Sequence, residues 1–281
     1  MEAPFCQFYR PHPALQPYVA NVMLMHLRLP PHLPRVEKPF PATPEQCLFF
    51  YARDAVEVFH CARNEALTSP PSIILGPQLA RVNLRMGHDQ ITIKVGFRPG
   101  GLFRLFGVPM WELLDQTVDS TFVAGAEIRQ INEELREMQE YSRMIGRVET
   151  YLLGKVAALK AGAHGIDQVA QLMQQRGASQ RVSLDWLAGQ ACLSPRQFER
   201  KFLERVGMSP KLFLRVVRFA QAYRLKDQQP GLDWQDVVYK CGYYDQTHLI
   251  KDFRLFAGVS PTALLKEDEN AGLNIYAGGP A

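Results

Sequence analysis

Phe198-x3-Phe202-x4-Gly207-x-Ser209-Pro210 recurs as Leu249-x3-Phe253-x4-Gly258-x-Ser260-Pro261, with every matched position displaced by 51 residues. Upstream the displacement falls to 50, pairing Leu184 with Trp234, Leu187 with Val237, Ala188 with Val238 and Ala191 with Cys241. The second copy therefore has one extra residue at its turn. A repeat held in register over this length marks a duplicated supersecondary unit. Each copy reads as helix, tight turn, helix.

The local chemistry of the first copy supports that reading. Ser183 is placed to cap a helix whose apolar positions Leu184, Leu187, Ala188 and Ala191 fall at i, i+3, i+4 and i+7, and Cys192-Leu193 makes the turn. Ser194-Pro195-Arg196-Gln197 then opens the second helix with a capping serine, proline at the first helical position and Gln in the capping-box place. Phe198, Phe202 and Val206 form its buried stripe. Opposite that stripe stand Arg196, Gln197, Glu199, Arg200 and Lys201. This is the chemistry of a helix in a major groove: guanidinium to guanine, amide to adenine, carboxylate to cytosine, spare cations to phosphate.

In the second copy Tyr243-Tyr244 occupy the turn, Asp245 caps, and Gln246, Thr247, His248, Ile250 and Lys251 face outward. This face is less charged. Ile250 stands where the first copy has Glu199; it can touch a thymine methyl but cannot read a polar edge, so the first copy is expected to dominate specificity. Ser209-Pro210 starts a helix running to about Gln228, with Leu212, Val216, Phe219 and Tyr223 on one stripe. It spans about 28 Å at 1.5 Å per residue, against the roughly 34 Å between successive major-groove faces. Two recognition helices tied in this way can enter adjacent grooves.

Charge follows the same division. Residues 178–266 hold 14 Lys and Arg against 8 Asp and Glu, a balance of +6 within a net +4, so the remainder is slightly acidic. A basic C-terminal third is the electrostatic footprint of a phosphate-binding module.

Upstream the pattern is different. Short apolar runs, Cys47-Leu-Phe-Phe-Tyr51, Val56-Glu-Val-Phe59, Ile73-Ile-Leu75 and Ile91-Thr-Ile-Lys-Val-Gly-Phe97, are separated by turn residues and predict strands. The last run is read as the final main strand. Pro30, Pro31, Pro34, Pro39, Pro41 and Pro44 predict an extended loop. After Arg98-Pro-Gly-Gly101, a turn without a P-loop lysine, comes a short helix over 102–106. Two helices follow with stripes Ile128, Ile131, Leu135, Met138 and Ile145, Val148, Leu152, Val156, Leu159; these stripes read most simply as core and also suit a dimer seam, the two not being exclusive. Lys160-Ala-Gly-Ala-His-Gly165 reads as a linker, and a further helix runs from about Ile166 to Gly177.

The 281 residues thus divide into 1–160, a sensing and dimerisation domain; 161–165, a linker; 166–266, a DNA-binding domain; and 267–281, a frayed acidic tail. The expected fold is an α+β N-terminal domain, strand-rich and barrel-like and followed by helices, plus an all-α C-terminal domain of two helix-turn-helix units joined by a linker helix. Cys6, Cys47, Cys61, Cys192 and Cys241 are odd in number and lack any C-x-x-C pair, which excludes a zinc finger and a disulfide framework. Cys192 and Cys241 are read as core filler. His26, His60 and His88 include no close pair, so no metal and no cofactor are expected. The first residues show no basic stretch before an apolar run, and no apolar run reaches membrane-spanning length. A cytoplasmic chain is expected.

The run from Val182 to Phe202, Gly207-Met-Ser-Pro210, Arg218 with Ala222, and Cys241-Gly-Tyr-Tyr-Asp-Gln-Thr-His-Leu-Ile-Lys-Asp-Phe253 followed by Gly258-Val-Ser-Pro261 resemble the AraC/XylS family DNA-binding domain over about a hundred residues. The resemblance implies base-reading positions at Arg196, Glu199 and Arg200 in the first copy and at Gln246, Thr247 and Lys251 in the second. Val238 and Trp234 depart from the family pattern, which bears on local packing. Ile74-Leu-Gly-Pro77, Val95-Gly-Phe-Arg-Pro-Gly-Gly-Leu102 and Leu105-Phe-Gly-Val-Pro109 resemble a sensor-like domain found ahead of some such DNA-binding domains. The implied function is a sequence-specific transcription regulator, an activator or a repressor according to where its site lies, and not an enzyme. The implied partners are double-stranded DNA, a second copy of the chain, a small-molecule effector and RNA polymerase, with no membrane. The rivals are a DNA-binding domain fused to a metal-dependent or DNA-repair enzyme, and an N-terminal domain that serves only oligomerisation.

Overall fold

The computed structural model describes residues 4–61, 63–176 and 183–271. Ten strands build two antiparallel sheets. They are β1 (Phe5–Tyr9), β2 (Val19–Arg28), β3 (Glu37–Phe40), β4 (Gln46–Tyr51), β5 (Glu57–His60), β6 (Glu65–Thr68), β7 (Ser72–Leu75), β8 (Val82–Arg85), β9 (Asp89–Phe97) and β10 (Thr117–Asp119). The larger sheet has the order β1-β2-β9-β4-β7-β10 and the smaller β3-β8-β5-β6. The strand-rich, barrel-like expectation holds in outline: the two sheets pack face to face on a shared core without closing into one barrel.

That stacking explains the unbroken apolar runs. The larger sheet is covered on both faces, so its central strands alternate between two cores rather than between core and water. On β4, Leu48 and Phe50 join the core under the helices, while Cys47, Phe49 and Tyr51 face the smaller sheet. Pro39 lies within β3, in a stretch expected to be loop; the strand is tolerated because β3 is a sheet edge, where a missing amide donor costs no ladder bond. A three-residue strand, β10, follows the expected last one and adds to the edge of the larger sheet.

The first helical layer is α1 (Gly101–Phe106), α2 (Ser120–Ala124), α3 (Glu127–Glu137) and α4 (Tyr141–Ala157), with a 3-10 turn at Met110–Leu113. Ile128, Ile131, Leu135, Ile145, Val148 and Leu152 are buried in the core under the larger sheet, with Met138 and Val156 half-buried beside them and Leu159 exposed, so most of both stripes is core.

The C-terminal half is helical: α5 (Gly165–Arg176), α6 (Leu184–Gln190), α7 (Pro195–Val206), α8 (Pro210–Gln228), α9 (Trp234–Lys240), α10 (Gln246–Ala257) and α11 (Pro261–Ala271). One core built on Phe198, Phe202, Phe213, Phe219, Phe253 and Phe256 serves both repeats and takes in Ala42 from the strand-rich half. The expected tail is corrected at its start. Residues 267–271 continue α11, because Glu267 pairs with Arg81 and Asp268 with Lys38 across the two halves. Residues 272–281 lie outside the described residues.

Candidate nucleic-acid interface

The two helix-turn-helix units are α6 with α7 and α9 with α10, and their turns are built alike. Leu193 N–H donates to the Ala188 carbonyl (3.0 Å) and Tyr243 N–H to the Val238 carbonyl (2.9 Å). The left-handed residue that reverses the chain is Cys192 (φ 54°) in the first unit and Gly242 (φ 68°) in the second. From α6 to α10 each helix start is capped by a short polar side chain: Ser183, Ser194, Ser209, Asp233 and Asp245 each accept an amide from the first turn. Trp234, an unusual residue at its position, packs edge-on against Phe253 at 5.8 Å.

On α7, Phe198, Phe202, Arg205 and Val206 are buried, which turns Arg196, Glu199 and Arg200 to solvent. Neither of those arginines has an ion pair among the described residues. Lys201 is half-buried and pairs with Glu204 at 3.4 Å. Gln197 completes the capping box, its side chain accepting from Ser194 N–H (3.2 Å) and its own N–H donating to Ser194 Oγ (3.4 Å). On α10, Leu249, Asp252 and Phe253 are buried; Gln246, Thr247 and Lys251 are exposed and Ile250 is half-buried. His248 Nδ1 meets Asp245 at 2.8 Å, so its ring helps to close the helix start as Gln197 does. The Asp245 carboxyl is held below its usual range mainly by the His248 backbone amide and then by the His248 ring.

A family model described as a helix-turn-helix domain matches residues 187–267. The C-terminal domain is of the AraC/XylS type. A second model, of a domain of unknown function, DUF6597, matches residues 7–119. No curated protein is significantly similar to the chain. Among solved structures, apo ToxT from Vibrio cholerae strain SCE256 is 12% identical, with 88% of this chain and 97% of that one covered at a TM-score of 0.49. Fatty-acid-bound wild-type ToxT from the same strain is 10% identical over 92% and 96%, at 0.48. The DNA-binding domain of AdpA in complex with a target DNA is 26% identical over 36% and 89%, at 0.33. These superpositions are loose, and the assignment rests on the match to residues 187–267.

Within the AraC-type domain each recognition helix is fastened by a buried charge. Arg205 of α7 makes two 2.6 Å bonds to Asp167 of α5, both side chains less than a tenth exposed, and its guanidinium covers the Phe103 ring at 4.7 Å. Asp252 of α10 accepts from Arg215 (2.6 Å) and Arg218 (3.3 Å) of α8. Sequence patterning does not single out Asp167 or Arg205, because a charged residue on a helical stripe reads as a solvated position until its partner 38 residues away is seen.

A second feature absent from the sequence reading is the chain between β3 and β4. Ala42 N–H donates to the Phe256 carbonyl (3.1 Å), and Gln46 Nε2 donates to the Val206 carbonyl (3.2 Å). Residues 41–46 thus occupy orphan carbonyls at the C-terminal ends of both recognition helices at once. The same loop carries Glu45, whose carboxyl Lys94 holds below the usual range, with Arg224 of α8 at 3.8 Å.

Among the other sequence candidates, the core-filler expectation is corrected for Cys192, which is exposed because it forms the left-handed turn of the first unit, whereas Cys47, Cys241 and His26 are buried. Burial pushes the Cys47 thiol up to about 12 and the Cys241 thiol up to about 11, so neither is a thiolate at neutral pH. His26 is buried between Tyr141 Oη and Asp89, 2.6 Å from each. Among the described residues no group of His, Cys, Asp and Glu is arranged to hold a metal ion, and no helix is long and apolar enough to cross a membrane.

Proposed function

We propose that this AraC-type DNA-binding regulator reads a bipartite site in double-stranded DNA, with Arg196, Glu199 and Arg200 contacting bases in one major-groove segment and Gln246, Thr247 and Lys251 in the next. The observation that carries the reading is the pairing of two exposed polar faces on one core, fixed by α8 and capped from behind by a single loop. Gln197 and His248 serve helix starts, Lys201 and nearby cations meet phosphates, and Ile250 makes apolar contact only. The chain acts in the cytoplasm and pairs with a second copy. It engages RNA polymerase from the promoter it occupies and takes a small-molecule effector in the strand-rich domain, where a cavity separates the two sheets. Site selection from random duplexes with the full chain tests this. The expected result is two short conserved blocks about one helical turn apart, with affinity falling steeply as salt rises. Recovery of unenriched DNA would overturn it.

A further inference from the structure

The base-reading turns of a recognition helix are its first ones, and its last carbonyls point away along the axis. A group that holds those carbonyls therefore aims the reading face without touching DNA. Both recognition helices are held in this way by the strand-rich half. Gln46 Nε2 donates to the Val206 carbonyl at the end of α7 (3.2 Å), and Ala42 N–H to the Phe256 carbonyl near the end of α10 (3.1 Å). Arg81 Nη1 reaches the next carbonyl, that of Ala257, at 3.5 Å. Val206 and Ala257 are matched positions of the repeat, so the grips fall on equivalent points of the two copies.

The segment that carries the Ala42 and Gln46 grips is stiff. Pro41 and Pro44 restrict its backbone. Thr43 exchanges two backbone hydrogen bonds with Gln78 (2.9 and 3.0 Å), Glu45 N–H donates to Thr43 Oγ1 (3.2 Å), and the Glu45 carboxylate pairs with Lys94 of β9. Gln46 is the first residue of β4 and lies opposite Phe97 in the ladder with β9. Ala42 and Gln46 are thus four positions apart on fixed chain, a span of at most about 14 Å.

Stability alone does not account for Gln46. It is 2% exposed, and its Oε1 has no hydrogen-bond partner among the described residues. A buried acceptor left unpaired typically costs as much as a neutral hydrogen bond returns. What the side chain adds is a tie between α7 and the segment that already holds α10. Along the chain α8 connects the end of α7 to α9, whereas this tie joins the ends of α7 and α10 directly.

We propose that residues 42–46 act as a ruler: Gln46 and Ala42 grip both recognition helices from one rigid segment of the strand-rich half, fix the interval between the two reading faces, and so make the chain selective for the spacing of the two DNA blocks as well as for their sequence. This rests on the bipartite reading above and adds spacing to what the chain discriminates. Gln46 and Ala42 are positioning residues, acting on DNA through α7 and α10. One base pair more or less turns the second block by about 35° and shifts it by about 3.4 Å, a displacement that two rigidly held faces do not follow.

The test is a spacing series: duplexes with the two selected blocks at the native interval, or one base pair closer or farther, titrated with the full chain in native, Gln46→Met and Ala42→Pro forms. The native chain binds either altered interval about tenfold more weakly, as it would a mismatched base pair. Gln46→Met removes the α7 grip and the unpaired oxygen together, so its melting temperature stays near the native value while its penalty for altered spacing falls to about threefold or less, with base preference inside each block unchanged. Ala42→Pro removes the amide at the α10 grip and gives the same loss of spacing selectivity should Gln46→Met fold poorly. Unchanged spacing selectivity in both variants, with or without a uniform loss of affinity, marks a merely structural role and overturns the proposal. Tighter binding by either variant at the native interval overturns it too, since the segment is then a brake on DNA binding. Both outcomes leave the bipartite reading standing; recovery of a single block from random duplexes overturns that reading and the ruler together.

Discussion

The two helix-turn-helix units share a repeat but not a way of being held. Both use the same turn hydrogen bond and the same apolar stripe. At matched positions, however, the first copy has Lys201 where the second has Asp252, and Arg205 where the second has Phe256. In the first unit the recognition helix brings the cation and the preceding helix α5 brings the carboxylate; in the second the recognition helix brings the carboxylate and α8 brings the cations. The polarity is reversed because the neighbours differ. Arg205 lies against Phe103 of the strand-rich half, whereas Phe256 packs on Phe219 inside the shared core. Helix-turn-helix geometry is thus local, while the charge that fastens each copy depends on what lies behind it.

Removing the first fastening should have the largest effect. Arg205→Ala leaves Asp167 buried without its cation and is expected to cost about 3–5 kcal/mol of stability in chemical denaturation. Arg205→Met with Asp167→Leu, which makes this position apolar as in the second unit, should recover most of that loss. A double variant as unstable as the single one would show that the contact with Phe103, rather than the ion pair, carries the energy.

The matched glycines separate the copies next. Both end a recognition helix in the left-handed region, at φ 94° for Gly207 and 72° for Gly258, but a Cβ at Gly207 would lie 2.8 Å from the Met110 carbonyl oxygen while nothing stands within 4 Å at Gly258. Gly207→Ala should therefore cost about 2–4 kcal/mol, strain and overpacking together, and Gly258→Ala about 1 kcal/mol. Equal thermal shifts would mean that the first unit is not pressed against the strand-rich half in solution.

On DNA the reading faces should differ too. Arg196→Ala is expected to lose about 1–3 kcal/mol of binding and to relax one base position, whereas Ile250→Ala loses less than about 1 kcal/mol without changing the preferred sequence. Selection profiles of the two variants check this, and an unchanged profile for Arg196→Ala would remove that residue from the base-reading set. The smallest effect is a gain: Cys192→Gly, which gives the first turn the residue found in the second, should stabilise by about 0.5–1 kcal/mol through relief of the left-handed strain.

Much of the helical half was legible beforehand. Ser194-Pro195 and Ser209-Pro210 mark helix starts by capping chemistry that acts within four residues, and α8 runs over Pro210–Gln228 as its stripe predicts. The exposed faces of α7 and α10 follow from the same period. In the strand-rich half the apolar runs located β4, β7 and β9 but said nothing of how the sheets pair. An unbroken run such as Cys47-Leu-Phe-Phe-Tyr51 is compatible with a closed barrel and with two stacked sheets alike, and an edge strand through Pro39 is visible only once its partner β8 is in place.

The sequence by itself determined the duplicated unit, its caps, its turns and its two outward faces, because each of those rests on interactions between residues a few positions apart. Tertiary structure alone decided how the two copies are tied to the rest of the chain. Arg205 with Asp167, Lys38 with Asp268 and the carbonyls capped by residues 41–46 join segments between 38 and 230 residues apart. Burial makes such pairings obligatory, since a charge or a carbonyl withdrawn from water must find a partner, and no periodicity in the chain records which partner that is.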